Sequence, residues 1–113
     1  MNIQDQIRKK AAEYRDYTAK NLSKLVKVKS YSSKEEDVCR LIVELCKEAG
    51  FDEIRIDGLG SVIGRVGYGP KQLAFDAHID TVEVGNLDNW DFDPFSGMIK
   101  DGKVWGRGSS DQK

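Results

Sequence analysis

A short apolar run that turns acidic at the only histidine constrains the fold most strongly. Residues 73–77 are mostly apolar and bounded by loop signals, which predicts a buried central strand ending at His78. Asp76, His78 and Asp80 alternate, so in an extended chain their side chains project to the same side. Ligands of open α/β sheets bind outside the carboxyl ends of strands. The sequence therefore predicts a candidate site at this strand end.

Two helices are predicted before this strand. Apolar residues recur at three- and four-residue steps over residues 3–27, the pattern of an amphipathic helix. Ser33 followed by Glu36 predicts a capping box that opens a second helix. Gly50 is expected to end that helix in the left-handed conformation, with Phe51 packing back on it. The buried stripe of the second helix should comprise Val38, Leu41, Ile42, Leu45 and Ala49.

The remaining elements are short strands and turns. Residues 52–57 alternate as a half-buried strand, residues 57–60 form a turn, and residues 62–66 form the returning strand. A polar loop follows over residues 83–96, and residues 98–105 predict a hairpin around an Asp-Gly turn. Helices on both sides of strands make the expected class α/β, the N-terminal portion of a mixed-sheet domain with flanking helices.

Charge and cysteine usage exclude several classes of protein. The formal net charge of −1 gives no reason to expect nucleic acid or an anionic membrane as a partner. Residues 76–111, however, carry 8 acidic and 3 basic side chains, as either a cation site or a solvated acidic loop would.

Cys39 and Cys46 fit a helix as reduced core residues better than as zinc ligands. With no signal peptide or membrane-spanning run, the expected location is the cytoplasm.

The residues around the histidine indicate metal chemistry. A lone histidine is usually a satisfied core or surface residue. A metal-binding imidazole, however, donates its second N–H to an acceptor, commonly a carboxylate, and Asp80 or Asp76 could supply it. Acids at the end of an apolar strand are also costly unless a positive group satisfies them. The alternative is that Asp80 caps the following turn.

A second acidic motif closes the sequence. Residues 106–110 are small or flexible apart from Arg107 and lead up to Asp111. Glycines permit close backbone approach, as a carboxylate aimed into a crowded site requires. By itself the motif is weak, because a helix N-terminus capped by Ser110 or Asp111 would explain it.

Together the two motifs resemble the zinc-dependent aminoacylase/carboxypeptidase family. This family includes acetylornithine deacetylase-like, succinyl-diaminopimelate desuccinylase-like and glutamate carboxypeptidase-like enzymes. Its His-x-Asp-x-Val signature appears as residues 78–82, and its Gly-Arg-Gly-x-x-Asp-x-Lys signature appears as residues 106–113. The intervening Trp90, Pro94-Phe95 and Asp101-Gly102 match the family's usual run. The resemblance covers the whole chain as the N-terminal part of a catalytic domain.

The resemblance implies a role for each site residue. His78 would ligate one of two zinc ions, Asp111 would bridge them, and Asp80 would orient His78 and tune its basicity. The peptide bond from Asp111 to Gln112 would be cis. Cobalt or manganese could replace zinc. Asp76 departs from the family pattern and could be a further group behind the ligands or mark a different helix–strand contact.

The resemblance also implies what residues 1–113 lack. They would form a partial catalytic domain that stops after the Asp111 motif, without the general base, the remaining ligands or the lid domain. The full-length protein would be a homodimeric hydrolase of amide bonds in N-acyl amino acids or small peptides, and residues 1–113 alone would be inactive. One alternative is a non-catalytic module or fragment completed by a partner chain. Another is an unrelated α/β binding module in which His78 and Asp111 never meet.

Overall fold

The computed structural model describes residues 1–113 as three helices, two hairpins and long connecting segments. The helices are α1 (Ile3–Glu13), α2 (Arg15–Val26) and α3 (Glu36–Ala49). The strands are β1 (Glu53–Ile56), β2 (Val62–Arg65), β3 (Met98–Lys100) and β4 (Lys103–Trp105), with one 3-10 turn over Leu87–Asn89. Helix α2 packs against α3 and against both β3 and β4.

The predicted helix over residues 3–27 is in fact two helices. At Tyr14 the backbone N–H donates to the carbonyls of Lys10 and Ala11, at 3.3 and 3.2 Å, and this tightened turn separates α1 from α2. No residue of α1 is buried, whereas α2 buries Ser23 and Val26. The apolar periodicity of α1 is real, but this part of the chain has no packing partner that would hold it in line with α2.

The start of α3 differs from the prediction, and its end agrees with it. Glu35, not Ser33, occupies the N-cap position, and no side chain caps the helix. Ser33 has a φ of 69°, and its N–H donates to Glu35 Oε1 at 2.8 Å, so the capping box does not form. At the other end Gly50 has a φ of 81°, and the N–H of Phe51 donates to the carbonyl of Cys46 at 3.1 Å. This is the left-handed ending that the glycine predicts.

The stripe predicted for α3 is buried unevenly. Val38 is fully buried, Ala49 is exposed, and the three residues between them are half-buried: Leu41, Ile42 and Leu45. Cys39 and Cys46 are half-buried free thiols, and loss of solvent raises the pKa of both. The helix therefore contributes one residue to a very small core.

Both predicted hairpins form as separate two-stranded antiparallel sheets. Strands β1 and β2 pair with Ile54 opposite Gly64, and β3 and β4 pair with Ile99 opposite Val104. The second turn places Asp101 and Gly102 at φ values of 55° and 71°, the primed geometry that suits a right-handed hairpin twist. Helices with small antiparallel sheets are compatible with part of an α/β domain, and the mixed sheet of the full domain stays a prediction.

The prediction of a buried strand over residues 73–77 is wrong. The segment is not part of any strand, and the side chains of Leu73 and Phe75 are 88% and 93% exposed. Each hairpin pairs only with itself, so no strand edge receives this segment. Its neighbourhood is attached by a single parallel bridge between Tyr31 and Thr81.

Little of this chain is buried. Val26 and Val38 are the only buried hydrophobic residues, and the accessible surface is 8846 Å². A compact monomer of this mass would expose roughly 6,200 Å². No helix is long and apolar enough to cross a membrane. The excess surface lies where elements such as α1 and the segment around Phe75 have nothing packed against them.

Candidate metal centre

The imidazole of His78 lies between two carboxylates. Its Nε2 is 3.2 Å from Asp111 Oδ1, and its Nδ1 is 3.2 Å from both the backbone oxygen and Oδ1 of Asp80. His78 and Asp111 are 33 residues apart in sequence, so the fold brings the two motifs together. This arrangement contradicts the alternative in which they never meet.

The connector between α2 and α3, residues 27–35, holds the segment that carries His78. The Ser30 hydroxyl donates to the carbonyl of Ile79 at 2.7 Å, and the Thr81 N–H donates to the carbonyl of Ser30 at 2.8 Å. The Ser32 hydroxyl donates to the Asp80 carboxylate. Ser30 is fully buried, so its bond is shielded from competing water. The segment is therefore positioned by hydrogen bonds to its backbone and to Asp80.

Glycines bring the segment that carries Asp111 close to the core. Gly106 has a φ of 149°, and a Cβ there would lie 2.3 Å from Val26 Cγ1. The N–H of the next residue, Arg107, donates to the carbonyl of Pro94 at 2.7 Å. At Gly108, with a φ of 85°, a Cβ would lie 2.7 Å from Thr81 Cγ2. Only residues without side chains fit these contacts, and this explains the glycines that the sequence motif contains.

The last residue of the motif is tied to the end of α2. The Lys113 ammonium donates to the carbonyl of Leu25 at 2.9 Å and to the carbonyl of Val28. Partial burial lowers the pKa of Lys113 to about 8. The two ends of the candidate centre therefore meet the same region, the C-terminal end of α2 and the connector.

The electrostatics of the centre keep Asp80 ionised and favour protonation of the histidine. Partial loss of solvent lowers the pKa of His78, but the hydrogen bonds and charges of Asp111 and Asp80 outweigh it and raise the pKa above 6.5. The hydrogen bond from Ser32 is the main reason that the pKa of Asp80 lies below 3.8, and the charge of His78 lowers it further. The centre thus has the negative character that a cation requires.

The distance between His78 and Asp111 suits a shared metal ion. Two ligand atoms at about 2.0–2.2 Å from a tetrahedral zinc are roughly 3.3–3.6 Å apart. The separation of His78 Nε2 from Asp111 Oδ1 is 3.2 Å. Asp80 contacts the opposite ring nitrogen, so it can orient the ring but cannot share that metal through the same edge. Asp111 is 91% exposed at its side chain, which leaves its second oxygen open to another ion.

The ligand set within residues 1–113 is incomplete. No group of three or more histidine, cysteine, aspartate or glutamate side chains could hold a metal ion. Protein zinc sites use three or four protein ligands. Asp76 is exposed and forms no hydrogen bond or ion pair, although it lines the same 1340 Å³ cleft as His78 and Asp80. The centre is therefore a pair of candidate ligands with one orienting carboxylate.

The cis peptide bond expected after Asp111 is absent. The structure contains no cis peptide bond. A cis bond before a residue other than proline is costly and persists only where its surroundings enforce it. The exposed Asp111 side chain has no such surroundings.

Three residues of the centre were missed as functional candidates in the sequence. Ser30 and Ser32 lie between the two predicted helices and match neither site motif, and Lys113 ends the second motif without an assigned role. The signal for the serines was a cluster of hydroxyls between two helices, Ser30-Tyr31-Ser32-Ser33. Its acceptors lie about fifty residues later, at Ile79 and Asp80, so only the fold identifies them.

Comparison with known proteins supports the resemblance seen in the motifs. Residues 74–113 match the sequence model of a family described as Peptidase family M20/M25/M40. The chain is 45% identical over 107 residues to the uncharacterized protein YgeY of Escherichia coli, covering 95% of this chain and 27% of that protein. It is 33% identical over 95 residues to a probable succinyl-diaminopimelate desuccinylase of Staphylococcus epidermidis, covering 81% of this chain and 24% of that protein.

A third relative has a similar relationship. The succinyl-diaminopimelate desuccinylase of Cereibacter sphaeroides is 38% identical over 93 residues, with 79% of this chain and 24% of that protein covered. The chain thus spans about a quarter of the length of the curated relatives it matches. The matched region contains both motifs and every residue of the candidate centre except those of the connector and α2. The chain therefore resembles Peptidase family M20/M25/M40 in its matched region, residues 74–113, and desuccinylases over most of its length.

Proposed function

We propose that the full-length protein is a metal-dependent hydrolase that cleaves an amide bond in N-acyl amino acids or small peptides. The observation that carries the proposal is the 3.2 Å approach of His78 Nε2 to Asp111 Oδ1, two ligand types delivered by separate motifs. Members of the matched family are generally metal-dependent, and two named relatives are desuccinylases. Residues 1–113 would form part of its catalytic domain.

The roles of the residues follow from their contacts. His78 would hold one ion through Nε2, and Asp111 would bridge to a second ion through its other oxygen. Asp80 would accept the Nδ1–H of His78, which fixes the tautomer and leaves the Nε2 lone pair free for the metal. Ser32 would hold the Asp80 carboxylate in the orientation that this contact needs.

The metal would supply Lewis acidity, and the chain would supply its placement. Zinc ions, or cobalt or manganese ions, held by His78 and Asp111 would supply Lewis acidity toward an amide carbonyl and a water molecule. Residues 1–113 provide no third ligand beside the pair. We therefore propose that the general base and the other ligands lie outside residues 1–113 and that these residues alone do not turn over substrate.

The remaining parts of the proposal concern partners and location. The substrate would be a small molecule, since the relatives named for an activity are desuccinylases. The net charge of −1 supports neither a nucleic-acid nor a membrane partner. A cytoplasmic homodimer is proposed for the full-length protein.

The test is metal content and hydrolysis in the full-length protein. His78→Ala and Asp111→Asn should each lower zinc affinity by at least about 100-fold, since even residues behind the ligands cost 10- to 100-fold. Hydrolysis of N-succinyl and N-acetyl amino acids should fall in parallel. Asp91→Asn, at an exposed carboxylate in the polar loop over residues 83–96, is the matched control. Unchanged zinc affinity and turnover in both site variants would refute the proposal.

The exposed apolar segment favours a second candidate function. Leu73 and Phe75 are 88% and 93% exposed and lead directly to His78, as expected of a strand that a partner polypeptide covers. In that case the protein would be a non-catalytic member of the family completed by another chain. Purified full-length protein that binds no zinc and hydrolyses no amide, yet forms a stable complex through this segment, would support it.

A further inference from the structure

The side chain of Lys113 contacts the C-terminal end of α2, which lies far earlier in the sequence. Its ammonium donates to the carbonyl of Leu25 at 2.9 Å and to that of Val28, across 88 and 85 residues of sequence. Leu25 lies in the last turn of α2, and Val28 lies just beyond it. The final carbonyls of a helix have no partners within it, and cations are favoured there. The Leu25 carbonyl already accepts the Val28 N–H at 3.1 Å, so the ammonium is an additional donor to Leu25 and also a donor to Val28.

The aliphatic part of Lys113 has a second role in this contact. A Cβ built on Gly108 would lie 2.8 Å from Lys113 Cγ and 2.7 Å from Thr81 Cγ2. The bare backbone of Gly108 thus lies against the lysine stem on one side and the threonine methyl on the other. Thr81 in turn donates its backbone N–H to Ser30 in the connector. Lys113 closes a chain of contacts around the loop that carries Asp111.

Asp111 itself has no comparable support. Its side chain is 91% exposed, and its carboxylate contacts only His78. Ser110 and Asp111 are exposed, whereas Lys113 is partly buried. The loop is fixed on one side by Gly108 and on the other by Lys113, with Asp111 between them.

We propose that Lys113 is a positioning residue for Asp111. By fastening the loop to the end of α2, it would set the Asp111 carboxylate opposite His78, whose own segment is fastened to the adjoining connector through Ser30. One helix end would then anchor both candidate ligands. The inference rests on the proposed function, because the placement of Asp111 matters through the metal that it would share with His78.

The test compares Lys113→Met with Lys24→Met in the protein as its host produces it. Methionine keeps most of the stem and removes the ammonium, and Lys24 is an exposed lysine of the same helix region. Lys113→Arg is the rescue variant, because a guanidinium can also donate to two carbonyls. Val38→Ala controls for general destabilisation, since Val38 is a core residue of α3 that lies outside this loop.

The first readout is backbone amide exchange over residues 106–112 in metal-free protein. Lys113→Met should accelerate exchange in this loop by at least about tenfold and leave α3 unchanged, whereas Lys24→Met should change neither. The Ser109 N–H, which donates to the carbonyl of Gly106 at 3.3 Å, is the amide to follow. Protection equal to that of the unmodified protein would overturn the proposal, whatever the protein does with metal.

The second readout is zinc affinity, measured by competition with a chelator. Lys113→Met should weaken binding by about 10- to 100-fold, the loss typical of residues that orient metal ligands. Lys113→Arg should recover most of it, and Val38→Ala should retain it at temperatures where the variant is folded. Normal affinity in Lys113→Met would overturn the positioning role alone. If the unmodified protein binds no zinc, the proposed function fails, and the exchange data decide the anchoring role of Lys113.

Discussion

The segments that carry His78 and Asp111 reach the same point by different means. The residues before His78 are exposed and belong to no strand, and hydrogen bonds from Ser30 and Ser32 hold the residues that follow it. The Asp111 segment combines hydrogen bonds, such as those of Lys113, with the close approach of glycine backbone to Val26 and Thr81. Side-chain hydrogen-bond donors therefore hold the first segment, whereas the second also requires positions without side chains. The two segments should therefore be sensitive to different substitutions.

The largest effect is expected where volume is added to the Asp111 segment. Gly106→Ala would place a methyl group 2.3 Å from Val26 Cγ1 and 2.8 Å from the Pro94 carbonyl oxygen, at a φ of 149°. Overpacking and backbone strain together should lower the free energy of unfolding by about 3 kcal/mol. Denaturant unfolding measures this change.

A matched glycine shows whether contact is the cause. Gly69→Ala adds the same methyl group where nothing lies within 4 Å and where φ is not in the left-handed region. Its stability should stay within about 0.5 kcal/mol of the unmodified protein. Equal losses in the two variants would mean that close approach does not distinguish the Asp111 segment.

A smaller effect is expected where a donor is removed from the His78 segment. Ser30→Ala eliminates the 2.7 Å bond to the Ile79 carbonyl and leaves that acceptor unpaired, which should cost about 1–2 kcal/mol. The Thr81 N–H, which donates to Ser30, should exchange faster with solvent. Ser61→Ala, at an exposed serine, should change neither quantity. A loss of stability as large as that of Gly106→Ala would contradict the expectation that substitutions in the Asp111 segment have the larger effect.

The point where the segments meet should show a shift in titration. Asp111→Asn keeps an oxygen that can accept a hydrogen bond but removes the negative charge that raises the pKa of His78, so that pKa should fall, as followed by NMR of the imidazole. Because the folded pKa of His78 is raised, its stabilising contribution is complete below the unfolded value near 6.5. It is lost as the pH rises through the folded pKa. The difference in the free energy of unfolding between the variant and the unmodified metal-free protein should shrink as the pH rises from the unfolded pKa through the folded pKa of His78.

The smallest effect is expected at Ser32. Ser32→Ala removes the main cause of the lowered pKa of Asp80, so that pKa should rise, whereas Ser32→Thr keeps the hydroxyl and should preserve it. A lowered pKa contributes stability above the unfolded value near 3.8, and this is lost as the pH falls through the folded pKa. Carboxylate NMR would register the change. An unaltered Asp80 titration in Ser32→Ala would remove Ser32 from the centre.

Local signals predicted the elements that need only local contacts. Gly50 ends α3 in the left-handed conformation, and the Asp101-Gly102 turn forms the expected hairpin, since a few neighbouring residues determine each. The strand at residues 73–77 failed because a strand needs a neighbouring strand to pair with, and each hairpin pairs only with itself. The capping box failed because Ser33 adopts a left-handed φ of 69°.

The sequence motifs predicted the candidate ligands of the centre but not the residues that hold those ligands in place. The spacing within each motif pointed to His78, Asp80 and Asp111, and the fold places them together. Ser30 and Lys113 act across 49 and 85 or more residues, so no local pattern signals their partners. The long-range packing of α2 decides both contacts.

The contact between Lys113 and α2 also has a consequence during synthesis. Val28 precedes Lys113 by 85 residues, so at 5–20 residues per second the ribosome adds the lysine roughly 4–17 s after the carbonyl that it will bind. Throughout that interval, only water and the turn that follows α2 can donate hydrogen bonds to the carbonyls at the end of this helix. The nascent helix should therefore fray at this end until the lysine emerges from the ribosome. The two candidate ligands, His78 and Asp111, should accordingly become paired late in synthesis.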